Sequence, residues 1–511
     1  MTNWIIRHAQ IFDGSGNPPY IADIAIQGDK IIRIGDYSEH NADCEIDAKG
    51  KALLPGFIDA HTHSDAVLAN GDKREVAIRQ GITTEVVGTC GIGTVPLSGK
   101  NRSYLQFTRS IIGNLNEDVD TESVEAFLKS RSCYGTNIGL QVAHSPLRME
   151  AIGNRDIVPT EQHMRRMETL LEEAFEQGAC AFTTGLSYYP ASFCDTSELI
   201  RLCKVAKQYE RPFCIHQRSV KSRRMQEDID PLQEAIKIAE ESGVRLHLSH
   251  YKTRLYSVGE VEQLLEPIER AKTKGIEITA DFYPYGVGCG DVAVNLPLWV
   301  MDGSIEDVLE RLSDSKTKVR IAKEMEKSRP NLADGIFTHA PLHPEYVGLS
   351  YAQVAEKNGE TVSQMLVRYL YEARLEGGYM PHDSKDLSVQ EQLNKDYMKL
   401  LEKPYYMVGS DTLPAHMNPH PRSSQTFTKI LRLAMEQNVP LELIANRLCD
   451  NPAKLFGFKE RGRIDVGNKA DIVLLGENGQ PEWVWINGIC CLKQGEFMSQ
   501  FAGCALYSDK T

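Results

Sequence analysis

Leu54-Pro55-Gly56-Phe57-Ile58-Asp59-Ala60-His61-Thr62-His63-Ser64-Asp65 is the stretch whose reading decides the fold. Pro55 and Gly56 mark a turn, Phe57 to Ala60 make a short apolar strand, and two histidines follow, one residue apart. Residues i and i+2 of a strand face the same side. His61 and His63 therefore aim two imidazoles at one point, and imidazole nitrogen is the commonest protein ligand for a divalent metal. An isolated His-x-His is usually plain polar surface. A pair that ends a buried-looking strand reads instead as the wall of a metal site.

Downstream, helix and strand patterns alternate. Met164, Met167, Leu171 and Ala174 recur at helical spacing and stop at Gly178, before the strand-like Cys180-Ala181-Phe182-Thr183-Thr184-Gly185. Asp195 with Glu198 opens the next helix, which leads to Pro212-Phe213-Cys214-Ile215-His216. Asp230-Pro231 starts another, ending at Gly243 before Val244 to His250, and Ser257 with Glu260 starts a fourth, ending at Gly275 before Ile276 to Asp281. Repeated helix-then-strand units imply parallel strands with right-handed crossovers, and this many of them predict a closed (β/α)8 barrel. Its active site lies at the C-terminal strand ends. The ligand-capable residues fall there: His61, His63, Cys90, His216, His250 and Asp411.

Both termini have a different texture, β-runs with turns: Ile21 to Ile26 and Ile31 to Gly35 form a hairpin, and Ala470 to Leu475 and Trp483 to Gly488 repeat the pattern. The expected organisation is a small β-sandwich from residues 1–54 and 456–511, around a barrel at 55–455. Residues from about 290 to 405 break the rhythm and read as an insertion after the seventh strand.

The 511 residues carry a formal net charge of −13, which argues against nucleic-acid and anionic-membrane partners. One local cation cluster still suffices for a small anionic substrate. No signal peptide precedes the first β-run and no apolar run is long enough to span a bilayer. The 12 scattered cysteines fit a reduced, cytoplasmic setting. Nothing in the chain fixes the oligomeric state.

The ordered set of motifs resembles one family. Pro55-Gly56-Phe57-Ile58-Asp59-Ala60-His61-Thr62-His63 is similar to the first-strand motif of the amidohydrolase superfamily. Gly88-Thr89-Cys90-Gly91, Gly185 to Pro190, His216-Gln217-Arg218, Ser249-His250-Tyr251-Lys252, Asp281 to Tyr285, Gly409-Ser410-Asp411, His420-Pro421-Arg422 and Arg461-Gly462-Arg463-Ile464 resemble its D-aminoacylase (N-acyl-D-amino-acid deacylase) branch. The resemblance implies a zinc site made by His61, His63, Cys90, His216, His250 and Asp411. Cys90 takes the place of the fourth-strand lysine found in many superfamily members, and Cys180 to Leu186 indeed contains no lysine. It implies one tight zinc on Cys90, His216 and His250, and a second, weaker position completed by His61 and His63. Asp411 is then general base and acid for hydrolysis of an N-acyl-D-amino acid. Arg422, with Lys252 as a second cation, binds the α-carboxylate beside Tyr283, and Tyr188 helps polarise the acyl carbonyl. Two positions depart from the family: Thr412 replaces a small residue, and Cys289 stands where a serine helps hold the carboxylate. The rival readings are a cyclic amidohydrolase of the hydantoinase or dihydroorotase kind, against which Cys90 and the missing lysine argue, and a non-catalytic scaffold of the same fold.

Overall fold

Strands that are buried along their whole length are covered on both faces, which is the condition of a parallel barrel. Ile82–Val87 and Asn137–Ala143 are of this kind, every residue buried. With Phe57–Asp59, Ala181–Gly185, Phe213–His216, Leu246–Leu248, Ile278–Phe282 and Tyr406–Val408 they form eight parallel strands in chain order. The ring closes where Ala60 N–H donates to Val408 O (3.3 Å) and Asp411 N–H to His61 O (2.7 Å). This computed structural model describes residues 3–37, 41–218 and 230–508. Residues 1–2 and 509–511 of the expected terminal segments lie outside the described residues.

The helix signals act as expected at two starts. Asp195 accepts from the Glu198 N–H, and Asp230 accepts from Leu232 and Gln233 N–H with Pro231 in the first turn of Pro231–Ser242. Gly243 then ends that helix at φ 71°. The helix expected from Ser257 begins instead at Val261, because Ser257 closes a single 3-10 turn and Gly259 takes φ +82°. A left-handed residue cannot continue a right-handed helix.

The termini build one nine-stranded sheet, with Ala52–Pro55 paired to Ile472–Leu475 at its centre. Period-two alternation joins it to the barrel. Leu53, Ile472 and Leu474 enter the sheet's own core, beside stacked Trp483 and Trp485, whereas Leu54, Val473 and Leu475 enter the barrel core.

The segment expected as one insertion divides in two. Helices Ile305–Ser313, Ser315–Ser328, Tyr351–Asn358 and Val362–Glu372 and the small sheet of Gly290–Asp291, Gly335–His339 and Gly378–Pro381 carry a separate apolar core. The following helix, Leu387–Glu402, gives Leu393, Tyr397, Leu400 and Leu401 to the barrel core, so it serves as a barrel helix. Among the described residues, no helix is long and apolar enough to cross a membrane.

One buried ion network behind the fourth strand sets an acid limit on the fold. Glu198 bonds His144 Nε2 (2.8 Å) and the Arg148 guanidinium, all three nearly inaccessible. Burial opposes its charge, but Arg148 and His144 outweigh that and hold its carboxyl down to about 2, from 4.5. A depressed folded-state value means the ionised group stabilises the fold above pH 4.5 and that support is lost as the pH falls toward about 2. Glu198→Gln strands Arg148 in the interior, at a cost of about 3–5 kcal/mol. Thermal melts should show a large drop at neutral pH and a gap from the parent protein that narrows below pH 4.

Candidate metal centre and active site

The barrel's C-terminal rim brings all six expected ligands together. Cys90 Sγ lies 3.2 Å from His61 Nε2 and 3.6 Å from both His216 Nδ1 and His250 Nε2. The last two nitrogens are 2.9 Å apart. Asp411 Oδ1 stands 3.3 Å from His63 Nε2 and 3.6 Å from His61 Nε2. Donors bound at about 2.0–2.3 Å to a tetrahedral ion stand roughly 3.3–3.7 Å apart. The 3.6 Å spacings of Cys90 to His216 and His250 match this, the 2.9 Å between the two rings is tighter, and the thiol and imidazole donor types suit zinc.

The backbone gives up conformational ease to gather these atoms. Cys90, His250 and Asp411 sit just past their strands at φ 53°, 40° and 52°, in the left-handed region. Each such non-glycine residue costs on the order of 1–3 kcal/mol and persists only where its surroundings impose it. Gly185, at the end of the fourth strand, is one of those surroundings: a Cβ there would lie 1.9 Å from the Cys90 carbonyl oxygen. Gly409 likewise lets the eighth strand approach, since its Cβ would meet His61 Cβ at 2.5 Å.

Electrostatics favour neutral imidazoles at His63, His216 and His250 and an ionised carboxylate. At His61 the effect of burial is outweighed by Cys90 and Asp281, which push it well above its ordinary value. Burial holds His216 down to about 3 and His250 well below its ordinary value, leaving both nitrogen lone pairs free for a metal. Burial raises the Cys90 thiol, so an ion would have to displace its proton. For Asp411, burial raises the carboxyl, but Arg422 and then His63 outweigh it and hold it well below the usual range.

A profile of the amidohydrolase family matches residues 45–121 and 309–480. The N-acyl-D-glutamate deacylase of Alcaligenes xylosoxydans xylosoxydans is 29% identical over 475 residues, covering 92% of this chain and 86% of its own length. The D-aminoacylase of the same organism is 27% identical over 474 residues, covering 92% and 87%. A crystal structure of N-acyl-D-glutamate deacylase from Bordetella bronchiseptica, complexed with zinc and a phosphonate mimic of the tetrahedral intermediate, superposes with a TM-score of 0.78 at 26% identity, covering 99% of both chains. Over most of its length the chain is similar to N-acyl-D-glutamate deacylase and D-aminoacylase of the amidohydrolase kind.

The expected substrate residues surround the same centre. Arg422 is buried and opens the helix Arg422–Glu436. Its Nη1 is 2.6 Å from Asp411 Oδ2, its guanidinium lies 4.6 Å over the Tyr283 ring, and Nη2 donates to Cys289 O (3.4 Å). Lys252 is buried, not a surface charge: its ammonium sits 4.0 Å over the same ring and bonds the Tyr285 carbonyl. Burial, with Arg254 and Arg422, lowers Lys252 well below its ordinary value. Tyr188 packs on His216 with ring centroids 5.1 Å apart. Thr412 bonds its hydroxyl to Ser410 Oγ (2.7 Å), which in turn is held by Asp59, so the extra bulk at this position lies in the support beneath the ligands.

Sequence reasoning gave no role to Asp281. Its Oδ2 accepts from His61 Nδ1 (3.1 Å) and His247 Nε2 (2.9 Å), and its Oδ1 from His250 N–H (2.8 Å). A carboxylate that fixes the ring orientation of one ligand and the backbone of another belongs to the metal site's support. Its position at the end of the seventh strand was the available signal.

Proposed function

We propose that the protein hydrolyses the N-acyl bond of N-acyl-D-amino acids in a zinc-dependent reaction, giving a carboxylate and a free D-amino acid. The observation that carries the reading is the double engagement of Asp411. One of its oxygens faces the histidine set and the other faces Arg422 at 2.6 Å, so the proton-transfer group sits between the metal ligands and a carboxylate receptor. Cys90, His216 and His250 would hold one zinc tightly, and His61 and His63 with Asp411 a second, weaker one. A bound zinc supplies Lewis acidity, acidifying a water and polarising an acyl carbonyl.

The chain's own groups do the rest. Asp411, ionised at neutral pH, accepts a proton from the attacking water as its oxygen bonds to the acyl carbon. The same carboxyl, a weak holder of protons, passes it to the departing nitrogen as the C–N bond breaks. Tyr188 directs its hydroxyl end toward the acyl oxygen. Arg422 offers its planar fork to the substrate's α-carboxylate; its Nε has no hydrogen-bond partner among the described residues. Lys252 and Tyr283 line the same receptor, and Cys289 supplies a weaker donor than a serine would. Preference for the D configuration rests on the family likeness. The substrate is a small molecule, and the free state of all 12 cysteines supports a cytoplasmic location.

The test uses Arg422→Met with two substrates, an N-acetyl-D-amino acid and its neutral α-carboxamide. A charge-assisted hydrogen bond contributes about 1.5–3 kcal/mol, so kcat/KM for the acid should fall roughly ten- to hundredfold, measured at pH 8. The carboxamide should be poor with the parent enzyme and barely worse with the variant. Without the guanidinium the Asp411 carboxyl rises, so the acid limb of the variant's pH profile moves to higher pH. Equal losses on both substrates would contradict the carboxylate receptor.

A further inference from the structure

A small cavity of about 20 Å³ lies beside the metal centre. It has room for little more than a methyl group or one water. Ile92, Ile111, Met301, Leu375 and Tyr188 wall it, with Asp291 as its one ionisable carboxyl. Ile92 and Ile111 pack in the same apolar cluster as Cys90, with Tyr188 and Cys289 against them, so the cavity shares a wall with the ligands. Among the described residues, no lysine, arginine or histidine lines it. Asp291 is nearly inaccessible, its Oδ1 accepts from Ala293 N–H (2.7 Å), and burial pushes its carboxyl up to about 7.

Tyr189 and Val294 separate this cavity from a wider outer one of about 660 Å³ that carries Lys327 and Arg329. Arg329 donates to the Val294 carbonyl (2.9 Å), on the outer side of that partition. An anionic group entering the inner cavity would lose its water, meet apolar walls and a carboxyl, and gain no cation from its described lining. A small apolar group would lose only water contacts and fill the space.

We infer that this cavity reads a small uncharged substituent of the substrate, so that the enzyme selects against N-acyl derivatives of acidic D-amino acids. The inference rests on the deacylase reading and names its substrate class. The substituent so read is the amino-acid side chain, and occupation by the tail of the acyl group is the outcome that would contradict it.

The zinc-loaded protein distinguishes them. One series holds the acetyl group fixed and varies the side chain through D-alanine, D-2-aminobutyrate, D-leucine and D-glutamate. The other holds D-alanine fixed and lengthens the acyl group from formyl to butanoyl. N-acetyl-D-alanine or N-acetyl-D-2-aminobutyrate should exceed N-acetyl-D-glutamate about a hundredfold or more in kcat/KM, the scale on which a site rejects a group it cannot pair. In the side-chain series kcat/KM should fall steeply with each added methylene, and a steep fall confined to the acyl series would overturn the inference. Ile111→Ala should move the optimum of the side-chain series to a longer substituent. Leu375→Val gives the same readout from the opposite wall if Ile111→Ala does not fold. A D-glutamate substrate equal to or better than D-alanine would overturn the inference and pass the reading to Arg329, as would length profiles unchanged in both variants. Failure to release amine from every member would remove the deacylase reading itself, and this inference with it.

Discussion

Asp411→Asn should keep its zinc and its fold while turnover falls about a thousandfold or more. The scale follows from the loss of a general base and a general acid in one substitution, each contributing roughly 10²–10⁴-fold. Asparagine preserves the shape of the side chain, and its oxygen can still face His63, which the aspartate meets at 3.3 Å. It cannot accept and return a proton. Arg422, 2.6 Å from the other oxygen, loses an ion-pair partner but keeps the Cys289 carbonyl and the Tyr283 ring. The separating measurement is zinc content alongside kcat. Full zinc with near-normal turnover would reduce Asp411 to a ligand, and zinc lost with activity would make it mainly a structural one.

Cys90→Ala should remove most of the bound zinc and the activity together. The sulfur stands within 3.6 Å of three imidazole nitrogens and is the one anionic donor of the tight set. Without it, His216 and His250 present two neutral rings, too few ligands for a closed site. The substitution removes little volume from a buried position, so the melt of the metal-free variant should stay close to that of the metal-free parent. Elemental analysis showing one zinc per chain in this variant would remove Cys90 from the ligand set.

The gathering of the candidate ligands at one rim was legible because strand geometry couples residue type to place. His61-x-His63 can face one point only from a strand, and His216 ends a run of apolar residues. What escaped the sequence was long-range pairing. Asp281 looks like any acid at a strand end until the barrel closes and brings His61, 220 positions away, to within 3.1 Å. The Arg422 contact with Asp411 was hidden for a related reason: eleven residues suggest a loop, but Arg422 begins a helix whose direction fixes the guanidinium. Lys252 reads as surface charge by type, and only the Tyr283 ring and Tyr285 carbonyl account for its burial. The helix placed at Ser257 shows the complementary failure, a good capping pair overruled by Gly259. The middle segment from 290 onward kept no barrel periodicity because most of it packs on a core of its own.

The most direct test of the account is zinc titration of the metal-stripped protein while amine release is followed from matched N-acetyl-D- and N-acetyl-L-alanine. The account predicts no release before zinc, activity on the D substrate that saturates near one equivalent, and little on the L substrate. Undiminished release by the stripped protein, or zinc-bound protein inert toward the whole N-acyl-D series, would contradict it.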